Sequence, residues 1–101
     1  MDIEKVARLI ESEKINWSRH ILERMHKRRI QIDEIIHVVK NGEIIKCYPD
    51  DTPYPSCLIL GFTADNKPLH VVCAVAENNL SMITAYHPSM EEWEDDFKTR
   101  R

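Results

Sequence analysis

The stretch "CLILGFTADNKPLHVVCAVAENNLSMITAY", residues 57–86, decides the fold. It holds three apolar runs, "CLILGFT" (57–63), "LHVVCAVA" (69–76) and "LSMITAY" (80–86), cut by the polar breaks "ADNKP" (64–68) and "ENN" (77–79). Runs of this length, rich in branched and aromatic side chains, read as strands. The breaks are too short to hold a crossover helix, so neighbouring strands must run antiparallel. The register of the last pair stays open. A two-residue turn at Asn78-Asn79 sets His70 opposite His87, whereas a three-residue loop, Glu77-Asn78-Asn79, sets it opposite Tyr86.

Upstream, "EIIKCY" (43–48) reads as one more strand, and "PDDTPYPS" (49–56), with three prolines and two aspartates, as a loop. Before residue 43 the apolar period becomes helical. Ile3, Val6, Ala7 and Ile10 predict a helix over 2–13. Ile21, Leu22 and Met25 predict a second over about 18–29, capped by Asn16 or Ser18. Ile32, Ile35, Ile36 and Val39 predict a third over 31–41, with Asp33 and Glu34 at its positive end and Asn41-Gly42 as its stop. Downstream, Ser89 and Glu92 form a capping box, with Trp93 and Phe97 as an i,i+4 pair, which predicts a C-terminal helix. The expected order is ααα–ββββ–α: an α+β domain with an antiparallel four-stranded β-sheet packed against N-terminal helices, plus a C-terminal helix. The 101 residues suit one domain, 1–101, and not two.

A hydrophobic share of 43% with 31% charged residues excludes a disordered chain. No apolar run approaches the ~20 residues of a membrane span. The start, Met1-Asp2-Ile3-Glu4-Lys5, lacks the basic and apolar regions of a signal peptide, so the expected location is cytoplasmic. Cys47, Cys57 and Cys73 are widely spaced without a CxxC and are expected as reduced, buried thiols. The two glycines, Gly42 and Gly61, make no phosphate-cradling loop. Neither HExxH nor H-x3-H occurs, and no metal or cofactor is expected.

The formal net charge of −3 argues against a general nucleic-acid surface, but the charge is polarised. Residues 17–29 carry five Lys/Arg against one acid, and residues 91–96, "EEWEDD", carry five acids and no base. On a helix, His20, Arg24 and Arg28 recur every four residues and flank the apolar stripe. Guanidinium forks suit phosphate oxygens, and an imidazole can move a proton beside them. Arg19, Lys27 and Arg29 extend the cationic segment as expected substrate contacts, joined by His87. His70, a polar ring inside an apolar strand, must find a partner or face a cleft. Tyr86 and His87 stand near it on the last strand.

"SRHILERMHKRRI" (18–30), "NGEIIKCYPDDTPYPSCLILGF" (41–62), "PLHVVCAV" (68–75) and "ITAYHPSMEEW" (83–93), in that order, resemble the DUF4258 family. That family is similar to the RelE/BrnT-like toxins of type II toxin–antitoxin pairs. The resemblance implies a small α+β fold, endoribonuclease activity on RNA without a cofactor, and a cognate antitoxin of the zinc-finger or helix-turn-helix type as partner. By motif, His20, Arg24, Arg28, His70 and Tyr86 match its recurring polar positions. Arg29 stands where glycine is common. The expected mechanism is metal-independent attack by the ribose 2′-hydroxyl. Arg24 and Arg28 hold the phosphate, His20 or His70 takes the proton, and the other histidine or Tyr86 supplies one. The alternative is a non-enzymatic interaction module with a basic face and an acidic C-terminal helix.

Overall fold

Three helices lie on one face of a five-stranded sheet in the computed structural model, which describes residues 2–101. In chain order the elements are α1 (Ile3–Glu11), β1 (Ile15–Trp17), α2 (Arg19–Arg28), α3 (Ile32–Asn41), β2 (Glu43–Tyr48), β3 (Ser56–Phe62), β4 (Pro68–Ala76) and β5 (Asn79–Tyr86). The sheet order is β1-β5-β4-β3-β2. The helices begin where side chains can satisfy free amides. The Asp2 carboxylate accepts from the Glu4 N–H at 2.9 Å, and the Ser18 hydroxyl accepts from the Ile21 N–H at 3.2 Å. The Glu34 carboxylate reaches back to the Gln31 N–H at 3.0 Å.

The core forms where the inner faces of α1 (Val6, Ile10), α2 (Ile21, Met25) and α3 (Ile35, Val38, Val39) meet Ile59, Leu69, Val71, Cys73, Leu80, Met82 and Ala85 of the sheet. Each large aliphatic side chain buried there contributes about 1.5–3 kcal/mol. Both glycines sit at the closest approach of α3 to β3. A Cβ at Gly42 would lie 2.5 Å from the carbonyl oxygens of Leu60 and Val38, and one at Gly61 would lie 2.7 Å from Val38 Cγ1. Gly42 therefore serves close packing; its φ of −88° is open to any residue.

Two expectations for the architecture are corrected. The sheet is mixed and five-stranded, not antiparallel and four-stranded. The added strand, β1, has three residues and pairs parallel with Leu80–Met82 of β5. So short a segment carries no period of its own, and its pairing is chosen by the tertiary fold. The C-terminal helix is also absent among the described residues. Ser89 O accepts from the Glu92 and Trp93 amides for a single turn. The chain then doubles back, with Trp93 bridged to Arg100 and with Phe97 at φ 59°. Five acids within 91–96 repel one another at helical spacing. Trp93 gains more by lying 5% exposed against the sheet face opposite the helices. An ion pair from Lys98 to Glu43, 2.8 Å, ties this C-terminal strap to β2.

Candidate functional site

The register of β4 on β5 builds the site. The turn is two residues long, Glu77-Asn78, with Glu77 at φ 58° and Ala76 opposite Asn79. Continued without interruption, that register would set His70 opposite Ala85. An irregularity between Val72 and Cys73 leaves Ile83 unpaired and shifts the register by one residue, so that His70 faces Tyr86. The three-residue loop expected for this pairing is replaced by a shorter turn and a bulge.

His70 is 0% exposed. The rings of Trp93 (4.6 Å, 90°) and Tyr86 (5.2 Å, 71°) meet it edge-on. The Phe97 carbonyl lies 2.8 Å from Nε2 and can only accept, so Nε2 carries a proton and donates it. Burial pushes the His70 pKa below the usual imidazole range, against the pull of that carbonyl, and leaves the ring neutral. Nδ1 is then an acceptor, and the Tyr86 hydroxyl, 3.2 Å away, donates to it. The phenol is partly buried, and burial raises its pKa, with Tyr48 adding to the rise and Arg100 and Arg28 opposing it. The result is a neutral, oriented hydroxyl backed by a buried base.

Tyr86 opens into two clefts that share Tyr86, Trp93 and Arg100 as a common wall. One, about 510 Å³, adds Lys46, Tyr48, Lys98 and Thr99. The other, about 370 Å³, adds Arg28, His87, Pro88, Ser89 and Glu92. A chain of net charge −3 thus surrounds one tyrosine with four cations and a single carboxylate. Glu92 holds Arg100 at 3.3 Å. Arg100 also stacks over Trp93 (5.1 Å), and Lys46 lies over Tyr48 (5.4 Å). Arg28 reaches across from α2 and donates to the Ala85 carbonyl at 2.8 Å, one of the five N–H groups of its fork. His87 donates Nδ1–H to the Pro68 carbonyl at 2.9 Å.

Of the residues named from sequence, Arg28, His70, Tyr86 and His87 come together. His20 and Arg24 are exposed and line neither cleft. Their regular spacing is the cause. Four residues turn a helix by slightly more than one full circle, so an i,i+4,i+8 row drifts about 40° per step. The drift carries Arg28 to the seam with β5 and leaves His20 and Arg24 short of it. Arg19 and Lys27 line a different, shallow groove on α2 with Leu22, Glu23 and His26, and Arg19 faces Glu23 at 3.9 Å. Arg29 closes α2 in the left-handed conformation, φ 56°, where glycine is the least strained residue.

Lys46, Trp93, Lys98 and Arg100 were missed. Three of them belong to the segment expected as a helix. The signal lay in "KTRR" (98–101), four polar residues, three of them basic, separated from the acidic run by Phe97 alone. Cys57 and Cys73 are buried as expected, but Cys47 is exposed, because β2 lies at the margin of the sheet.

Residues 17–87 match the family model described as domain of unknown function DUF4258. No curated protein and no solved structure matches the chain.

Proposed function

The chain belongs to the DUF4258 family, and from that premise we propose that it is a metal-independent endoribonuclease, the toxin of a type II toxin–antitoxin pair, with the Tyr86 clefts as its phosphodiester site. One observation carries the reading: an oriented tyrosine hydroxyl, backed by a buried neutral imidazole, stands among four cations. A divalent metal would be repelled by such a lining, whereas a phosphate gains from it. Arg28, Arg100, Lys46 and Lys98 hold the scissile phosphate and oppose the charge that builds on it. Tyr86 takes the proton of the attacking 2′-hydroxyl as its own passes to His70 Nδ1. The imidazolium so formed keeps its Nε2–H on the Phe97 carbonyl. His87 in its imidazolium form keeps Nδ1–H on the Pro68 carbonyl, gives its Nε2 proton to the departing 5′-oxygen and is left neutral. His70 thus acts through Tyr86 and need not touch RNA.

The test is expression with growth and transcript integrity as readouts, beside cleavage of single-stranded RNA by the purified chain. Tyr86→Phe should lose roughly 10²-fold or more in cleavage while remaining folded. Arg24→Ala should cleave like the parent, because Arg24 lines neither cleft. Intact RNA and normal growth with the unmodified chain would remove the proposal. They would leave the second reading, a protein-interaction module, which the exposed Leu22 (41%) between Arg19, His26 and Lys27 on α2 favours. The acidic half of that module is weakened, since Glu92, Glu94 and Asp95 are already paired with Arg100 and Arg101.

A further inference from the structure

Three cysteines line up across three strands on the helix side of the sheet: Cys47 is directly opposite Cys57, and Cys57 directly opposite Cys73. They differ in access. Cys47 is exposed, whereas Cys57 is 2% and Cys73 0% exposed. The Sγ atoms of Cys47 and Cys57 lie 3.1 Å apart, and all three thiols are free. Directly opposed residues of an antiparallel pair have Cα separations of about 4.5–5.5 Å, within the range a disulfide spans. Closing the bond needs the sulfurs to approach by about 1 Å, to ~2.05 Å, with no change of strand register.

We infer that Cys47 and Cys57 form an oxidation site, closed to an intramolecular disulfide by a hydroperoxide and reopened by a dithiol. The two sulfurs have separate roles. Burial and the neighbouring Cys47 push the Cys57 thiol up to about 11, so at neutral pH it stays protonated. Burial holds Cys73 higher still, at about 12. Attack on the oxidant therefore begins at Cys47, the sulfur that solvent reaches. Its sulfur attacks the peroxide's terminal oxygen: an S–O bond forms, the O–O bond breaks, the departing oxygen leaves with the thiol proton as water (an alcohol from an organic hydroperoxide), and Cys47 becomes a sulfenic acid. Cys57 then attacks that sulfur: an S–S bond forms, the S–O bond breaks, and the hydroxyl leaves with the Cys57 proton as water. The peroxide is reduced by two electrons and the two thiols are oxidised by two.

The surroundings select the oxidant. The chain leaves Cys47 through Asp50 and Asp51, which with Tyr48, Ser56 and Val72 line a cavity of about 530 Å³ on the sheet face opposite the Cys47 sulfur. Asp51 is held there by the Ser56 hydroxyl, which donates to it at 2.6 Å. The Cys47 sulfur itself is packed against buried Cys57, a seat that a small neutral hydroperoxide reaches more readily than bulky, anionic oxidised glutathione, whose charge the nearby carboxylates also oppose.

The experiment treats the full-length chain with a small excess of hydrogen peroxide, or separately with oxidised glutathione, then alkylates and maps the peptides. The expected product has lost two hydrogens, joins Cys47 to Cys57, keeps Cys73 alkylatable and reverts with dithiothreitol. Oxidised glutathione should react at least tenfold more slowly. Cys47→Ser, an exposed change that leaves the core intact, should abolish the link. Cys57→Ala should leave a Cys47 sulfenic acid that dimedone traps; should that variant fail to fold, the mapping on the parent and on Cys47→Ser decides alone. A dimer bridged through Cys47, a Cys57–Cys73 link, or Cys47 sulfinic acid without a link would overturn the inference. Equal rates with both reagents would overturn the assignment to hydroperoxides.

Discussion

A histidine with no exposed surface is unusual as the centre of a reactive site, yet His70 is the residue around which the other side is organised. Its ring is neutral because the fold has removed it from water, and both nitrogens are spoken for. Folding therefore opposes its protonation, which gives stability a pH dependence of known sign. The unfolded chain takes up a proton near pH ~6.5, and the folded chain only at lower pH. The contribution is whole above that value and is lost as pH falls through the lowered folded pKa. Urea unfolding of the parent should show its midpoint dropping between pH 7.5 and pH 5. His70→Gln, which cannot titrate there, should be less stable at pH 7.5 but show a shallower decline. Parallel declines in the two proteins would contradict the neutral, desolvated ring.

Among elements, the closest contact is between α3 and β3, where the two glycines allow the helix to press Val38 against the strand. Gly42→Ala should cost about 1–3 kcal/mol, read as a lower denaturant midpoint, because the added methyl meets two backbone carbonyls that cannot turn aside. The same elements show what the residues reveal unaided. The apolar period marked all three helices to within two residues, since each buries one face on the sheet. Strands β2 to β5 were equally plain from their apolar runs. β1 was illegible, because three residues carry no period. The C-terminal strap misled for a different reason: Ser89 and Glu92 offered a helix start, but repulsion within "EEWEDD" and the burial of Trp93 prevailed. That misreading hid Arg100 and Lys98 from the site. His70 and Tyr86, polar groups set in apolar strands, were visible from the start. Their pairing was only one of two options, because the bulge at Ile83 leaves no mark in the turn.

Across the whole molecule, charge of one sign is gathered against the sign of the total. A chain of formal charge −3 should be repelled by RNA at long range and held at close range by the cations around Tyr86. Two of the four are already engaged, Lys98 with Glu43 and Arg100 with Glu92. Binding of a single-stranded oligonucleotide to a Tyr86→Phe chain should therefore weaken with salt with a log–log slope between about −1.4 and −2.8, the value for two to four neutralised phosphates. A slope near zero in a filter-binding titration would mean that the clefts hold no phosphate.

The two margins of the sheet have a consequence for crowded solutions. Beyond Met82, β5 is no longer accompanied by β1, and the Arg28 guanidinium occupies a carbonyl, that of Ala85, that another chain would need. At the far margin, β2 is kinked between Ile44 and Lys46 and carries Glu43 and Lys46. Neither rim offers a long, flat, uncharged template, so the ladder ends within each molecule and copies have little means of propagating it into a fibril.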